Sequence, residues 1–368
     1  VQAYTSNVLM VPEGETLSLV GGPVEAGLPD GSAPAFLLAS QGRVNLVSVA
    51  SPGEAGFGGT GFDVSGFETL GDVRITGGSI VDGREVYIRG GQLVIEDSLV
   101  SPGVLAFAGL GTPPDGGEVN VQVSEDVQIS GRGLLFELFT PGIRTLSGSS
   151  DELAPAADAA DIRLEAGGTV SVTGVAAVQS DRLGPGDAAD LTITADTVTV
   201  SEGGSISVNN LYAGSGGTLT VNARHIELSD SSPDTAFTGL AAQSDLHPGY
   251  ANADYLGDPF NPDLTFADSG TITVNATDSL VVSGGAEIST DSFGFGNSGD
   301  INLSVGDLTL SKDGASSGKI AAQSALAGNA GSIVIDTTGT VDISGGFQIS
   351  TTTLGSGVGG VIELTAGQ

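Results

Sequence analysis

Near its C-terminal end the sequence says nearly the same thing three times. Gly270-Thr-Ile-Thr-Val, Gly299-Asp-Ile-Asn-Leu and Gly331-Ser-Ile-Val-Ile open units 29 and 32 residues apart, and Gly360-Val-Ile-Glu-Leu opens a fourth after another 29. Self-similarity at a period of roughly 20–50 residues restricts the fold strongly. Each unit is too small to bury its own apolar face and must stack on its neighbours. Within a unit the apolar residues alternate. Ile272/Val274, Leu280/Val282 and a lone Ile288 recur as Ile301/Leu303, Leu308/Leu310 and Ile320, then as Ile333/Ile335, Val341/Ile343 and Ile349. A period of two marks a strand, since successive side chains point to opposite sides. Ser283-Gly284-Gly285 and Ser344-Gly345-Gly346 punctuate the strands as turns. The predicted fold class is all-β: a parallel β-helix, or β-solenoid, of about three strands per coil with its apolar row pointing inward.

The rhythm runs upstream as well. It shows as Val73/Ile75, Val86/Ile88 and Leu93/Ile95, then as Val119/Val121, Val127/Ile129 and Leu134/Phe136. It returns at Ile162/Leu164, Val170/Val172 and Val178, and continues through Leu191/Ile193, Val198/Val200, Ile206/Val208, Leu219/Val221 and Ile226/Leu228. Three stretches interrupt it: a Gly/Phe-rich loop at 51–70 with Phe57, Phe62 and Phe67, a Ser/Pro/Ala-rich loop at 137–159, and an insertion at 231–268. Repeat proteins carry such insertions on the outside of the stack. Dividing the length by the repeat gives about eleven or twelve coils, a rod about 50–60 Å long at roughly 4.8 Å per rung.

The formal charge of −33 comes from 44 acidic residues against 11 Lys and Arg, so the surface is acidic because cations are scarce. This argues against nucleic acid and anionic membranes as partners. A hydrophobic content of 39% is enough for a folded core. The absence of Cys excludes a disulfide framework and thiolate metal sites. No apolar run is long enough to span a bilayer as a helix. The rhythm is already under way at the start and still running at the end, so the sequence reads as a trimmed or processed piece of a longer rod.

Two sets of residues carry a family resemblance. Val11-Pro12-Glu13-Gly14-Glu15-Thr16-Leu17-Ser18-Leu19-Val20-Gly21-Gly22, followed by Gly42-Arg43-Val44-Asn45-Leu46-Val47-Ser48-Val49-Ala50, resembles the late part of a filamentous-haemagglutinin-type secretion domain. Ser283-Gly284-Gly285-Ala286-Glu287-Ile288-Ser289-Thr290, with Gly296-Asn297-Ser298-Gly299-Asp300-Ile301, resembles the rod repeats of the same exoproteins. The resemblance divides the chain into 1–70, coils like the end of a secretion domain, and 71–368, rod repeats with insertions. It implies a right-handed β-helix, secreted by two-partner secretion through an outer-membrane partner barrel. It also implies a location outside the cell or on the surface of a bacterium with an outer membrane. One departure stands out: the Asn-Pro motifs of the early secretion domain are absent, and Asn261-Pro262 lies in the insertion.

Four residue patterns bear on chemistry. Ser130, Ser201, Ser229, Ser283, Ser311 and Ser344 recur just after the second strand of their coils. A stacked hydroxyl column satisfies turn groups, and a regular one could also bind a surface. Asp after Gly, as in Gly71-Asp72 and Gly299-Asp300, forms turns more readily than it ligates metal. Catalysis by paired carboxylates needs two acids at a defined separation, and the sequence singles out no such pair. His225 reads as an exposed strand residue. The insertion is the candidate binding loop, through Asp245, His247, Tyr250, Asp254, Tyr255, Asp258, Phe260 and Asp263. Its aromatic and acidic side chains suit stacking on sugar rings or anchoring a protein, and they suit covering the flank of a coil as well. Its acids admit weak calcium binding, but no metal site or cofactor is assigned.

The function expected is a non-enzymatic adhesin or exoprotein rod, mediating attachment to a host or neighbouring-cell glycan or protein. The alternatives are a structural filament or surface-layer subunit that self-associates through its coil ends, and a carbohydrate-active β-helix enzyme.

Overall fold

A computed structural model of the protein describes residues 8–28, 30, 33–58, 61–103, 115–135, 139–147, 158–182, 187–211, 215–231, 237–244, 267–312 and 318–367. Every regular element among them is a strand. One 27-stranded sheet holds all but a single two-stranded hairpin, and its pairings are parallel throughout.

The sheet consists of three ladders. In the first, Thr16–Gly21 pairs with 43–48, then 85–90, Glu118–Val123, Asp161–Ala166, Leu191–Thr194, 218–223, 271–276, 301–305, Ile333–Thr337 and Ile362–Thr365. The second runs from Val24–Ala26 through Val73–Thr76, Leu93–Glu96 and Val127–Gly131 to Val341–Ile343. The third runs from Val8–Met10 through 36–39, 80–83, Leu99–Val100, Gly142–Ser147 and onward to Gln348–Ser350. The chain visits the ladders in turn, so each strand's neighbour comes from the next pass of the sequence. Such a ladder satisfies the backbone without any local hairpin.

Alternation within the strands builds one core. Leu46 and Ile193 of the first ladder, Ile75 and Val200 of the second, and Val81 and Ile206 of the third belong to a single cluster with essentially no solvent exposure. Each side chain so buried contributes about 1.5–3 kcal/mol. The third ladder explains why the sequence shows a lone apolar residue there. Ile143, Val178, Ile206, Leu240, Ile288 and Ile320 align as its apolar row. Four residues further along the strand, Ser147, Arg182, Asn210 and Ser244 align as a buried polar row. Ser244 Oγ there donates to Ser292 Oγ at 2.9 Å. At the last rung the apolar rows reach solvent, with Ile343, Ile362 and Leu364 exposed.

The glycines that open each repeat are explained by contact. A Cβ on Gly299 would lie 2.0 Å from the Gly270 carbonyl oxygen, one on Gly331 1.9 Å from that of Gly299, and one on Gly360 1.9 Å from that of Gly331. Successive rungs touch backbone to backbone at this corner, and only Gly fits. The Asp and Asn beside these glycines act as rung-to-rung acceptors. Ser332 N–H donates to Asp300 Oδ1 at 2.7 Å, Asn297 N–H to Asp268 Oδ1 at 2.7 Å, and Asn329 N–H to Asn297 Oδ1 at 2.9 Å. These carboxylates and amides hold turns, as the Gly-Asp pattern suggested.

Two expectations from the sequence need correction. Leu134 is not part of the third strand of its coil, Phe136 lies outside the described residues, and 137–159 is not loop throughout. Leu135 and Phe139 exchange two backbone hydrogen bonds in an antiparallel bridge, and the third-ladder strand is Gly142–Ser147. The reason is a second, outer cluster: Leu135 and Phe139 fold back to pack on Leu38, Ile80, Leu99 and Leu146, which point away from the main core. Likewise 231–268 contains the third-ladder strand Gly239–Ser244.

Candidate functional site

The predicted binding residues Asp245, His247, Tyr250, Asp254, Tyr255, Asp258, Phe260 and Asp263 all lie outside the described residues. The strand before them, Gly239–Ser244, is buried on both sides. The third ladder offers little open surface nearby. Asp181 is fully buried on its outer side. It accepts from Arg144 Nε at 2.9 Å, Gln179 Nε2 at 2.7 Å and Asn209 Nδ2 at 2.9 Å. Further along, Lys319 sits 3.4 Å from Asp291 and 3.6 Å from Glu287. Burial works against its charge, but the two carboxylates outweigh that and hold its pKa above the usual lysine value.

The second ladder carries the hydroxyl column. Ser130, Thr173, Ser201, Ser229, Ser283 and Ser311 stand in register on adjacent strands. All are half-buried, and Ser201 Oγ donates to Thr173 Oγ1 at 3.4 Å. The neighbouring outward row is mixed, running Ser171, Thr199, Glu227, Val281, Thr309 and Asp342. That mixture denies the face a single chemistry.

The outer side of the first ladder changes character along its length. At 85–90 it presents Tyr87 and Arg89, both nearly buried. The Arg43 guanidinium lies 4.8 Å and that of Arg89 5.7 Å from the Tyr87 ring centroid, a cation–π arrangement on both counts. Arg43 Nε donates to Glu85 Oε2 at 2.7 Å, and Tyr87 OH donates to Glu118 Oε2 at 3.2 Å. Burial, then the neighbouring Glu85 and Glu118 charges, push the phenol up to about 12. Arg89 Nη1 donates to the Ile88 and Asn120 carbonyls, each at 2.9 Å.

What meets Tyr87 is the stretch 49–70, which the sequence showed chiefly as a Gly/Phe-rich loop. Val49 and Leu70 form an antiparallel bridge at its neck, and Gly56–Gly58 pairs with Gly61–Asp63 as a hairpin. Ser51 Oγ accepts from Glu68 N–H at 2.9 Å and Thr69 N–H at 3.1 Å. Gly61 has φ 92°, and a Cβ there would lie 3.0 Å from Tyr87 Cγ. Both the left-handed backbone and the close approach to the ring require Gly. The excursion is thus seated on Tyr87.

A cleft of about 510 Å³ opens where this excursion ends and the bare ladder begins. Phe62, Phe67 and Glu68 line it from the excursion, and Gln122, Ser124 and Glu125 from the rung beneath. The turn that presents Phe67 closes with Phe67 N–H donating to Val64 O at 3.1 Å and Ser65 N–H to Asp63 Oδ1 at 2.9 Å. That second bond holds the Asp63 carboxyl below its usual range. The Phe67 ring lies where a side chain on residue 53 would stand, since a Cβ on Gly53 would be 2.6 Å from Phe67 Cδ1. Gly53 therefore fixes the ring's seat. The cleft's size suits a small ligand.

Sequence reasoning missed the cleft because its halves lie about sixty residues apart. The signal present was three Phe in a Gly-rich stretch and a Tyr at an outward strand position. His225 lies in a strand with its side chain 44% exposed, as expected, 3.1 Å from Ser279 Oγ and 3.4 Å from Asp278. Among the described residues no group of three or more His, Asp or Glu is placed to hold a metal ion. No family model, no curated protein and no solved structure matches the chain.

Proposed function

We propose that the three ladders are the three sides of a right-handed parallel β-helix, one strand of each per coil, and that the chain is a stretch of a filamentous-haemagglutinin-type exoprotein rod. On this reading a partner barrel carries it across a bacterial outer membrane. Outside the cell or on its surface, it attaches to a host or neighbouring-cell glycan or protein. It does so without catalysis, cofactor or nucleic acid. The observation that supports this best is the register. Strands from successive passes of the chain pair in parallel around one core, which makes a long stiff spacer from small units. Segment 245–266 and the cleft beside Phe67 are the two places where such a spacer would carry recognition, and the acids of the former admit weak calcium binding.

Electron micrographs of the secreted product should show single straight rods, and deleting 245–266 should leave them intact while lowering adherence to cells. Compact particles, or polysaccharide cleavage abolished by replacing one carboxylate pair, would overturn the reading. A structural filament is the second reading. In it, coils of separate copies stack edge to edge as the rungs within one chain do. Sedimentation that grows with concentration would select it.

A further inference from the structure

The cleft and the open row beside it have a chemistry of their own. Two Phe rings face acceptor groups: the Glu68 and Glu125 carboxylates, the Gln122 amide and the Ser124 hydroxyl, with no Lys, Arg or His in the lining. Anionic ligands are disfavoured by this lining and by the net charge of −33. The complementary ligand has an apolar face to lie on a ring and many hydroxyl donors to meet the acceptors. An uncharged pyranose has both. A peptide would bring carbonyl acceptors that find few donors here.

The geometry also extends the site. Gln122, exposed in the cleft, heads an outward row that continues as Glu165, Thr194, Asn222, Asn275 and Ser304, one side chain per rung. The row is held straight by bonds between rungs: Gln122 Nε2 donates to Glu165 Oε2 at 3.2 Å, and Asn275 Nδ2 to Asn222 Oδ1 at 2.8 Å. All of these side chains are half-buried or exposed. At about 4.8 Å per rung, the row presents hydroxyls, amides and a carboxylate as a track leading out of the cleft.

We propose that the cleft bounded by Phe62, Phe67, Gln122 and Glu125 anchors one ring of an uncharged polysaccharide, whose following units run along the row from Glu165 to Ser304. This deepens the attachment reading and rests on it for its biological role. The test is isothermal titration of the full chain with neutral oligosaccharides of glucose, galactose and mannose, two to six rings long, and with oligogalacturonates of equal length. At least one neutral series should bind, more tightly as length grows, while the anionic series binds at least tenfold more weakly. Phe67→Ala and Gln122→Ala should each weaken every length by about tenfold. Asn275→Ala should weaken only the longest, by about threefold. Gln122 is exposed on a ladder strand, so its variant keeps its fold even if Phe67→Ala loosens the excursion. Failure of every neutral series to bind, or binding that ignores Gln122→Ala, overturns the proposal. Cells that still adhere through a Gln122→Ala rod would sink the cleft and leave the attachment reading standing. Adherence lost on deleting 245–266, with sugar binding intact, would uncouple the two the other way.

Discussion

The outer side of the first ladder is two surfaces on one backbone. Over the rungs at 43–48, 85–90 and 118–123, Asn45, Tyr87, Arg89 and Asn120 are buried, Tyr87 beneath Gly61 of the excursion. From 161 to 337 the same positions hold Arg163, Thr192, Thr220, Thr273, Asn302 and Val334, half-buried or exposed. The inward rows of the two halves are alike, with Val86/Ile88 in one and Leu191/Ile193 in the other, all at 0% exposure. The contrast teaches that in a stacked chain the inward row sets the fold and is indifferent to position, whereas the outward row sets what each segment meets. The aromatic Tyr87 stands outward where another part of the chain lies on it, whereas the outward Arg163 of the open half is exposed.

The comparison predicts first where the halves should not differ. Ile88→Asp and Ile193→Asp each place a charge in the shared core with no partner, and each should cost about 4 kcal/mol or more. Chemical denaturation would show this, and a marked difference between the two would mean that the halves do not share one core. The largest effect that separates them is Tyr87→Ala against Thr220→Ala. Tyr87 loses its packing under Gly61 and its contacts with Arg43 and Arg89, a loss of about 3 kcal/mol for a buried aromatic. Thr220 stands half-open, so its truncation should stay within about 0.5 kcal/mol. Equal losses would mean that the excursion does not rest on Tyr87.

A smaller effect sharpens the same point. Gly61→Ala introduces a Cβ at φ 92° and 3.0 Å from the Tyr87 ring, for a cost of about 1–2 kcal/mol. Because the excursion leaves the ladders at its neck and rests on Tyr87 through Gly61, amide exchange should quicken across 61–70 while the strand 191–194 stays unchanged. Uniform quickening along the ladders would show that the excursion is integral to the stack.

How much of this the sequence disclosed follows from the same division. Ile272/Val274, Leu280/Val282 and Ile288 could be assigned inward because a period-two pattern repeated at 29–32 residues admits one arrangement, and all are buried. The Gly270–Gly299–Gly331–Gly360 spacing was visible, but its cause, carbonyls about 2 Å from each missing Cβ, needed coordinates. Leu134/Phe136 misled because an apolar cluster that packs outward, as Leu135 and Phe139 do on Leu38 and Leu99, is not told apart in sequence from one that packs inward. The cleft could not be read at all. Phe67 and Gln122 share no period, and the hairpin that brings them together occurs once. A pattern is informative only where it repeats, and the candidate binding features of this chain do not.

The smallest expected effect lies within the open half and concerns pH. Asp307 accepts from the Thr340 N–H at 2.7 Å and from its hydroxyl at 2.8 Å, bonds that hold its carboxyl below the usual range. Its contribution to stability is then present above the unfolded value, roughly pH 4, and fades as pH falls through the folded value. Asp161 is shifted the other way: burial, with the Asp190 charge adding to it, raises its carboxyl despite the Asp190 N–H that donates to it at 2.9 Å. The folded chain therefore holds that proton more tightly than the unfolded chain, and ionised Asp161 opposes folding at neutral pH. Asp161→Asn keeps an acceptor for the Asp190 N–H and removes the charge, so its melting temperature at pH 7 should rise slightly and the gain should shrink toward pH 4. Asp307→Asn should do the reverse, melting slightly lower at pH 7 and converging with the parent as the pH drops. Melts of the two variants between pH 3 and 7 that moved in the same direction would mean that net charge, rather than local placement on the corners of the rungs, governs the acid response of this strongly acidic chain.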